Sequence, residues 1–464
     1  MYISLFIQGL SVKSLCEYSS IAFIISRKKI KIKNVNSMDF KKPRGTRDFL
    51  AEDMKERKYI ENTIREVVES YGFNEIKTPI FEDLELFTTK SGEGIKEELY
   101  HFQDKGGRDL TLRPEMTASV ARLYNNNLRM APKPLKMYYF GSCFRYERPQ
   151  AGRFRQFWQF GIEVIGGTPI YNEAEIISML NDALSRLNIK NVELAIGHLG
   201  IIKGVLTQLE IETEKQSQII ASIDKEDYEL LDTILDDCNV TDEYKNIINK
   251  IISVNGTKDE LIQLKDELRE VPDSLKAAEE LEEILDILEV FGCDNYTVKL
   301  SIARGLDYYT GVVFEVYVPD LGAEKQVAGG GTYNLMGLFD SQEVESSGFA
   351  IGFDRIIEAY HRQAIEVPTA EIPKVLVIPI KNEFKKDAIS VAQVLREANI
   401  ITDIDLKGKK LKKNLSYANS QNIDNVIMIG QQEVETNTVT LKRMATKEQV
   451  TISMDELVDS ILKK

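Results

Sequence analysis

The chain has 464 residues, of which 43% are hydrophobic and 28% charged, a composition typical of a soluble protein with two to four domains. Its formal net charge of −14 argues against a surface coated in basic residues for nucleic acid, but does not exclude a local basic face. The four scattered cysteines argue against a zinc site and a disulfide framework and fit a reducing cytosol, so a cytoplasmic protein is predicted.

Residues 1–37 differ from the rest of the chain in composition. They contain one acidic residue, Glu17, and a basic cluster at residues 27–33. Two interpretations stay open: an organelle transit peptide, or upstream sequence that precedes a true start at Met38. We favour the second and leave this N-terminal extension, whose role is doubtful, out of the fold prediction.

The first periodic segment lies at residues 53–71 and is followed by Gly72. Its apolar residues recur at helical spacing, which predicts an amphipathic helix. They are Ile60, Ile64, Val67, Val68 and Tyr71. A strand is predicted next, at residues 76–81, from Ile76, Pro79, Ile80 and Phe81. It should lie near a sheet edge, because proline cannot donate to a ladder.

Residues 145–166 are predicted to form a hairpin whose tip carries arginines. They read RYERPQAGRFRQFWQFGIEVIG, with Pro149 and Gly152 between two strand-like runs. One arginine side chain can bind two phosphate oxygens at once, and an aromatic ring can stack on a base. This hairpin therefore suits the binding of a nucleotide. A solvated, charged hairpin is the alternative when the segment is considered by itself.

A helix is predicted at residues 173–187, where apolar residues recur on one face. Residues 200–296 are acid-rich, helical in period and nearly free of aromatic residues. Because they interrupt strand-rich sequence on both sides, we predict that they form an inserted helical domain.

The last segment, residues 372–464, follows a linker at residues 365–372. Strand-like and helical runs alternate in it, which predicts a mixed α/β sheet with mainly parallel pairing. A basic cluster near its middle is either a solvated face or an RNA contact. The cluster consists of Lys407, Lys409, Lys410, Lys412 and Lys413.

Five short motifs follow one another in a fixed order: RGTRDFL at 44–50, TLRPEMTAS at 111–119, FRYERPQAGRFRQFWQFGIEVIG at 144–166, RGLDYYTG at 304–311 and GFAIGFDR at 348–355. Together they resemble the histidine–tRNA ligases, a family of class II aminoacyl-tRNA synthetases. The resemblance covers about residue 39 to the C-terminus. The run MDFKKPRGTRDF resembles a family N-terminus directly, which is why Met38 is favoured as the start.

The resemblance implies an α+β fold. A class II antiparallel-sheet catalytic domain would be formed by residues 38–199 and 297–365, with the helical insertion at 200–296 between them. Residues 372–464 would form a C-terminal α/β anticodon-binding domain. The family likeness further implies a homodimer, with the first helix and strand at its interface, and no membrane partner.

The implied reaction joins L-histidine to tRNA(His) through a histidyl-adenylate, with ATP as substrate and Mg²⁺ beside its phosphates. No protein ligand for the metal is predicted. Fixed cations should stabilise the charge that grows on the phosphoryl oxygens, and no general base is needed because the attacking carboxylate is already ionised. By resemblance, Arg145 and Arg304 are the catalytic cations. The implied ATP-binding residues are Arg145, Glu147, Phe157, Arg304 and Arg355.

Histidine selection needs a polar pocket, because a neutral imidazole carries one N–H donor and one acceptor. By resemblance, Glu163 binds the imidazole, Tyr308 and Tyr309 line the pocket, and three residues surround the α-amino group. These three are Glu115, Thr117 and Gln159. Glycine has no side chain, so the triple glycine at residues 329–331 is interpreted as a segment whose backbone can lie close beside this pocket. The chain departs from a common family form at Trp158, Thr332 and Asn334, where His, Arg and Asp are frequent.

Three other functions were weighed. The regulatory paralogue of the first enzyme of histidine biosynthesis typically lacks the C-terminal domain and several arginines that this chain keeps. A class II ligase for threonine, proline or glycine is disfavoured by Glu163 and by RGLDYY at 304–309. A non-catalytic RNA-binding module is disfavoured by the intact triphosphate residues.

Overall fold

The computed structural model describes residues 40–91, 93–147, 154–302, 309–335, 337, 344–368 and 372–462. The extension at residues 1–37 therefore lies outside the described residues. The chain divides into two compact units, residues 1–366 and 367–464. Across the described ranges, we find no helix whose length and apolar character would let it cross a bilayer.

The first unit is built on a nine-stranded sheet in the order β1-β5-β6-β12-β11-β10-β7-β9-β8 and a small sheet in the order β2-β4-β3. In chain order, these strands are β1 (Asn74–Glu75), β2 (Phe81–Asp83), β3 (Tyr100–Gln103), β4 (Asp109–Leu112), β5 (Leu135–Phe144), β6 (Gln156–Ile165), β7 (Glu193–His198), β8 (Asn255–Gly256), β9 (Thr297–Lys299), β10 (Tyr309–Tyr317), β11 (Gln326–Tyr333) and β12 (Ser346–Gly352).

The centre of the large sheet is antiparallel, from β5 through β6, β12, β11 and β10 to β7. β5 and β6 form a hairpin, with Leu135 opposite Ile165 and Phe144 opposite Gln156. Its second strand lies in the predicted segment 145–166, but its first strand ends at Phe144, before that segment begins. The hairpin tip at residues 148–153 lies outside the described part. The predicted α+β fold with an antiparallel-rich sheet is confirmed.

Helices cover the sheet and fill the segment between β7 and β9. They are α1 (Ala51–Ser70), α2 (Glu85–Ser91), α3 (Thr117–Leu123), α4 (Pro169–Arg186), α5 (Leu199–Gln208), α6 (Thr213–Asp224), α7 (Tyr228–Asp237), α8 (Asp242–Ser253), α9 (Lys258–Glu267), α10 (Pro272–Val290) and α11 (Phe353–Arg362). The long helix α10 packs against both α4 and α5. Its apolar stripe is fully buried, as expected for an amphipathic helix whose face meets other helices.

The first predicted helix is present as α1, with its apolar stripe buried and Gly72 in the left-handed region at its end. The strand predicted at residues 76–81 is wrong. Strand β1 ends at Glu75 and β2 begins at Phe81. Between them, the carbonyls of Thr78 and Pro79 accept hydrogen bonds from the buried Arg113 guanidinium, so these backbone groups are satisfied without a ladder.

The second unit has one five-stranded sheet in the order β14-β13-β15-β16-β17. Its strands are β13 (Lys374–Pro379), β14 (Ile401–Ile404), β15 (Asn425–Ile429), β16 (Thr438–Arg443) and β17 (Gln449–Ser453). Its helices are α12 (Lys385–Glu397), α13 (Leu411–Ser420), α14 (Gln431–Thr436) and α15 (Leu457–Leu462).

The pairing in this sheet is less parallel than predicted. Strands β14, β13 and β15 are parallel, whereas β16 and β17 are antiparallel. The predicted alternation did not include β17, whose side chains are exposed or only half-buried and give a weak apolar signal. Both faces of the central strands are buried, since alternate residues of β13 belong to two different apolar clusters.

Candidate active site

Strand β6 carries the centre of the site. Its side chains alternate between the two faces of the sheet. Phe157, Gln159 and Glu163 are separated by even numbers of residues, so they lie on the same face. Strand β12 pairs with β6 along this stretch, with Gly352 opposite Gln159 and Gly348 opposite Glu163. Small residues on β12 leave open space above the sheet, and two cavities occupy it.

The larger cavity is an open cleft of about 360 Å³ at one end of β6. Its lining combines cations, carboxylates and aromatic rings with the small residues of β11 and β12. The lining residues are Arg145, Glu147, Phe154, Phe157, Trp158, Gln159, Gln326, Val327, Ala328, Gly329, Ala350, Gly352, Asp354 and Arg355. Rings beside guanidinium groups provide both stacking and phosphate binding, which are the needs of a nucleotide.

The smaller cavity, of about 90 Å³, lies further along the same strands. It is lined by Glu115, Thr117, Arg145, Gln159, Glu163, Tyr309, Gly329, Tyr333, Gly348, Phe349 and Ala350. Four residues line both cavities: Arg145, Gln159, Gly329 and Ala350. The two spaces therefore share a wall, and Arg145 is the cation on it.

Glu163 is the buried acid of the smaller cavity, with only 2% of its surface exposed. The hydroxyl of Tyr139 donates to its Oε1 at 3.2 Å and that of Tyr333 donates to its Oε2 at 2.5 Å. Burial raises the pKa of Glu163 to about 8, while hydrogen bonds from Tyr333, Thr117 and Tyr139 lower it and the charge of Glu115 raises it. The carboxyl is thus held by two hydroxyl groups, and its pKa lies above that of an exposed carboxyl.

A glycine on β12 makes room for this carboxyl. A Cβ atom at Gly348 would lie 2.1 Å from Oε2 of Glu163 and 2.4 Å from the carbonyl oxygen of Ile162. Neither neighbour can yield, because the first is held by Tyr333 and the second is backbone in a ladder. Any side chain at position 348 would displace Glu163.

Glu115 and Thr117 lie at the start of helix α3. The Glu115 carboxylate accepts the N–H of Thr117 at 2.5 Å and that of Ala118 at 3.0 Å. A negative charge is favourable there because the first N–H groups of a helix have no partner within the helix. This geometry holds the Glu115 carboxylate at the wall of the smaller cavity.

Arg145 extends across the shared wall. Its Nε donates to the carbonyl oxygen of Pro114 at 3.2 Å, and its Cζ lies 5.4 Å from the centre of the Phe157 ring. Its nearest contact with the Glu147 carboxylate is 3.9 Å. Arg355, at the opposite side of the cleft, donates to the carbonyl oxygen of Gln326.

Cys143 orients Gln159. Its thiol donates to the Gln159 side-chain oxygen at 3.3 Å, and burial raises the pKa of the thiol to about 12. The sulfur therefore stays protonated at neutral pH and acts as a donor rather than a nucleophile.

Comparison with known proteins decides the family. The histidyl-tRNA synthetase family model matches residues 45–356, and an anticodon-binding domain model matches residues 374–464. The chain belongs to the histidyl-tRNA synthetase family. The resemblance stated from the motifs is confirmed, and the enzyme class with it.

Known members of the family align with this chain along nearly their whole length. The histidine–tRNA ligase of Methanocaldococcus jannaschii is 45% identical over 423 residues, which are 90% of this chain and 99% of that one. The solved histidyl-tRNA synthetase of a Nostoc species has a TM-score of 0.75 at 25% identity, covering 92% of this chain and 99% of that one.

A second solved structure is similar to a comparable degree. It is described as an ATP phosphoribosyltransferase regulatory subunit/histidyl-tRNA synthetase from Bacillus halodurans. Its TM-score is 0.72 at 25% identity, and the match covers 84% of this chain and 98% of that one.

Nine of the residues predicted for this synthetase's site line one or both cavities: Glu115, Thr117, Arg145, Glu147, Phe157, Gln159, Glu163, Tyr309 and Arg355. Arg304 and Tyr308 lie outside the described residues. Three residues around Glu163 were not predicted from the sequence: Tyr139, Tyr333 and Gly348. Gly348 lies inside a quoted motif and was available as a signal, whereas the two tyrosines reach Glu163 only through strand pairing.

Proposed function

We propose that this synthetase ligates L-histidine to tRNA(His) in two steps. Histidine and ATP first give histidyl-adenylate and diphosphate, and the histidyl group then passes to the tRNA with release of AMP. One observation carries the proposal: a nucleotide-sized cleft and a small polar cavity with a buried acid share a wall.

The shared wall suits the first step. A histidine in the smaller cavity with its side chain toward Glu163 would direct its carboxylate toward Arg145, Gln159 and the cleft. An ATP molecule stacked on Phe157 would bring its α-phosphate to the same wall. Both groups are anionic, so Arg145 would neutralise their repulsion and stabilise the charge that develops in the transition state.

Glu163 would select histidine. Tyr139 and Tyr333 donate to its two oxygens, which leaves the carboxylate to act as an acceptor for an imidazole N–H. An amino acid that lacks this N–H would leave a buried acceptor unpaired, and sites of this kind reject such analogues by ~10⁴ or more. Glu115, Thr117 and Gln159 would bind the α-amino group, and Tyr308 and Tyr309 would line the pocket.

The remaining assignments rest on the family likeness. Arg304 would be the second catalytic cation, acting on the α-phosphate with Arg145. Glu147 would bind the adenine amino group and Arg355 the far end of the triphosphate. Mg²⁺ would enter with ATP as part of the substrate, bridging its phosphates.

We further propose a cytoplasmic homodimer with no membrane partner. Its interface would involve α1 and the segment around Ile80 and Phe81, whose side chains are 46% and 55% exposed. This interface is proposed from the family likeness, and the other subunit would cover these two adjacent apolar side chains. The second unit would bind the anticodon, with the lysine cluster at residues 407–413 as its basic face. The domain limits predicted from the sequence, including the insertion at 200–296, are part of this proposal.

Charging of tRNA(His) tests the proposal. The purified protein with ATP, Mg²⁺ and labelled histidine should esterify tRNA(His) and leave a tRNA for another amino acid uncharged. Histidine binding without any charging would instead favour a regulatory role, the alternative suggested by the description of the Bacillus halodurans structure.

A further inference from the structure

A buried carboxylate lies where β12 ends and α11 begins. Only 5% of the Asp354 side chain is exposed. Its Oδ2 accepts the backbone N–H of Trp158 at 2.9 Å, while its Oδ1 lies 2.7 Å from Arg47 and 2.8 Å from Arg57. One carboxylate therefore joins a strand of the sheet to two guanidinium groups.

The contact with Trp158 replaces a missing rung of the ladder. Pairing between β6 and β12 stops at Gln159 opposite Gly352, because the chain then turns into α11. The next residue of β6 is Trp158, and its N–H finds its acceptor in the Asp354 side chain. This N–H is partly buried, and without its acceptor it would lose a hydrogen bond, which favours fraying of β6 at this end.

The two arginines belong to one segment near the start of the described chain, far in sequence from Asp354, and both contact aromatic rings. The Arg57 guanidinium, on α1, lies 4.2 Å from the ring centre of Phe49 and 4.7 Å from that of Trp158. The Arg47 guanidinium lies 3.4 Å from the ring centre of Phe154. Asp354 thus fastens the segment before α1, and α1 itself, to the strand that builds the cleft.

We propose that Asp354 is a positioning residue for the nucleotide cleft. This proposal rests on the proposed function, because the nucleotide that would occupy the cleft is ATP. Asp354 holds the end of β6, where Phe157 and Gln159 flank Trp158 on either side. It also fixes the first turn of α11, which carries Arg355. Through these neighbours it sets the distance between the ring that stacks on the adenine and the cation that meets the triphosphate.

The position of Asp354 predicts an effect on ATP rather than on histidine. Glu163 lies five residues after Trp158 on β6, and hydrogen bonds from Tyr139 and Tyr333 fix its carboxyl. The pairing of β6 with β12 is unbroken from Gln159 to Glu163. Loosening the Trp158 end should therefore displace Phe157 more than Glu163. A residue with a merely structural role would lower the stability without separating the two substrates.

The test is ATP–diphosphate exchange by full-length Asp354→Ala and Asp354→Asn, with KM measured for each substrate. Asp354→Ala should raise the KM for ATP about fivefold or more, the effect of losing one hydrogen bond to a charged group, with the KM for histidine changed less than twofold. Asp354→Asn should have a smaller effect, because its amide oxygen can still accept the Trp158 N–H. Equal changes in both KM values, or none for ATP, would overturn the proposal.

Two further variants keep the test decisive. If Asp354→Ala does not fold, Arg47→Gln removes one partner whose side chain is 23% exposed, and should raise the KM for ATP about two- to threefold. An unchanged KM for ATP in Arg47→Gln would then overturn the proposal. Asp405→Asn is the matched control, since Asp405 is a buried aspartate of the second unit that accepts from Lys407, Lys409 and Asn414, and it should leave the KM for ATP unchanged.

Failure of the proposed function gives a different result. The wild-type protein would then show no histidine-dependent exchange at all. Active wild-type protein with an Asp354→Ala variant of unaltered KM for ATP would contradict only the role of Asp354.

Discussion

Tyr333 donates a hydrogen bond to Glu163 across a strand that lies between them. Tyr333 is on β11 and Glu163 on β6, and β12 separates the two, yet the hydroxyl and Oε2 are 2.5 Å apart. The contact is possible because Gly348 on β12 has no side chain at the crossing point. Three strands from two distant parts of the chain therefore build one acceptor in the smaller cavity.

Glu163→Gln should weaken the binding of histidine much more than the binding of ATP. The substitution keeps the volume but replaces a charged acceptor by a neutral amide, and hydrogen bonds to charged groups contribute roughly 1.5–3 kcal/mol. In ATP–diphosphate exchange above pH 8, where Glu163 is ionised, the KM for histidine should rise about 10- to 100-fold, while the KM for ATP stays within about twofold.

Glu173→Gln is a matched control for Glu163→Gln. Glu173 on α4 is also fully buried, with a pKa that burial raises to about 8, but it contacts Thr332 and Ser347 and lines neither cavity. It should leave the KM for histidine unchanged. Equal weakening of both substrates by Glu163→Gln would point to a structural role for Glu163.

Histidine affinity should depend on pH through Glu163. Its pKa of about 8 lies above the ordinary 4.5, so below pH 8 most molecules carry the neutral acid. If the ionised form accepts the imidazole N–H, a proton competes with histidine, and the KM for histidine should fall as the pH rises from 7 to 8. The fall should level off above the pKa, with a limiting slope of tenfold per pH unit.

The pH dependence of the KM for histidine should also be measured for Glu163→Gln. Protonation of the substrate histidine affects the wild type and the variant equally, so the difference between their two profiles belongs to Glu163. A KM that rises with pH in the wild type, after this comparison, would mean that Glu163 binds as the neutral acid and donates.

Tyr333→Phe should shift this pH profile. The Tyr333 hydroxyl lowers the pKa of Glu163 by donating to its ionised form, so its removal should raise that pKa and move the fall in KM to higher pH. At pH 7.5 the KM for histidine should rise about fivefold or more, since one hydrogen bond to a charged group is lost. An unshifted profile with a lower thermal midpoint would show that Tyr333 acts only in packing.

Arg304→Ala should lower the rate of adenylate formation with little loss of stability. Removing one cation or donor that stabilises developing charge typically costs about 10²- to 10³-fold in rate. Pre-steady-state adenylate formation and thermal unfolding should be measured together, with Arg269→Ala as the control. Arg269 is largely exposed and pairs only with Asp266 among the contacts described. Intact exchange by Arg304→Ala would remove Arg304 from the catalytic role.

Local patterns predicted the elements whose partners are close in sequence. The stripe from Ile60 to Val68 identified α1, because helical spacing is a property of a short window. Residues 76–81 were wrongly assigned to a strand, because the partner of the Thr78 and Pro79 carbonyls is Arg113, some 35 residues away. Burial by a distant side chain leaves no periodic signal.

The site shows the same division. Glu163 was identified from its motif, but Tyr139 and Tyr333 were not, because only the register of β5, β6, β12 and β11 brings their hydroxyls to it. The contact of Asp354 with Arg57 spans 297 residues and depends on where α1 lies on the sheet. Sequence periodicity does not encode such distances.

Histidine-dependent ATP–diphosphate exchange tests the central claim most directly. The protein should exchange label between diphosphate and ATP when L-histidine is present, and none of the other amino acids should replace it. That result would establish activation and its specificity in one assay. Histidine binding with no exchange would contradict the account, and the roles given to Arg145, Arg304 and the shared wall would be wrong.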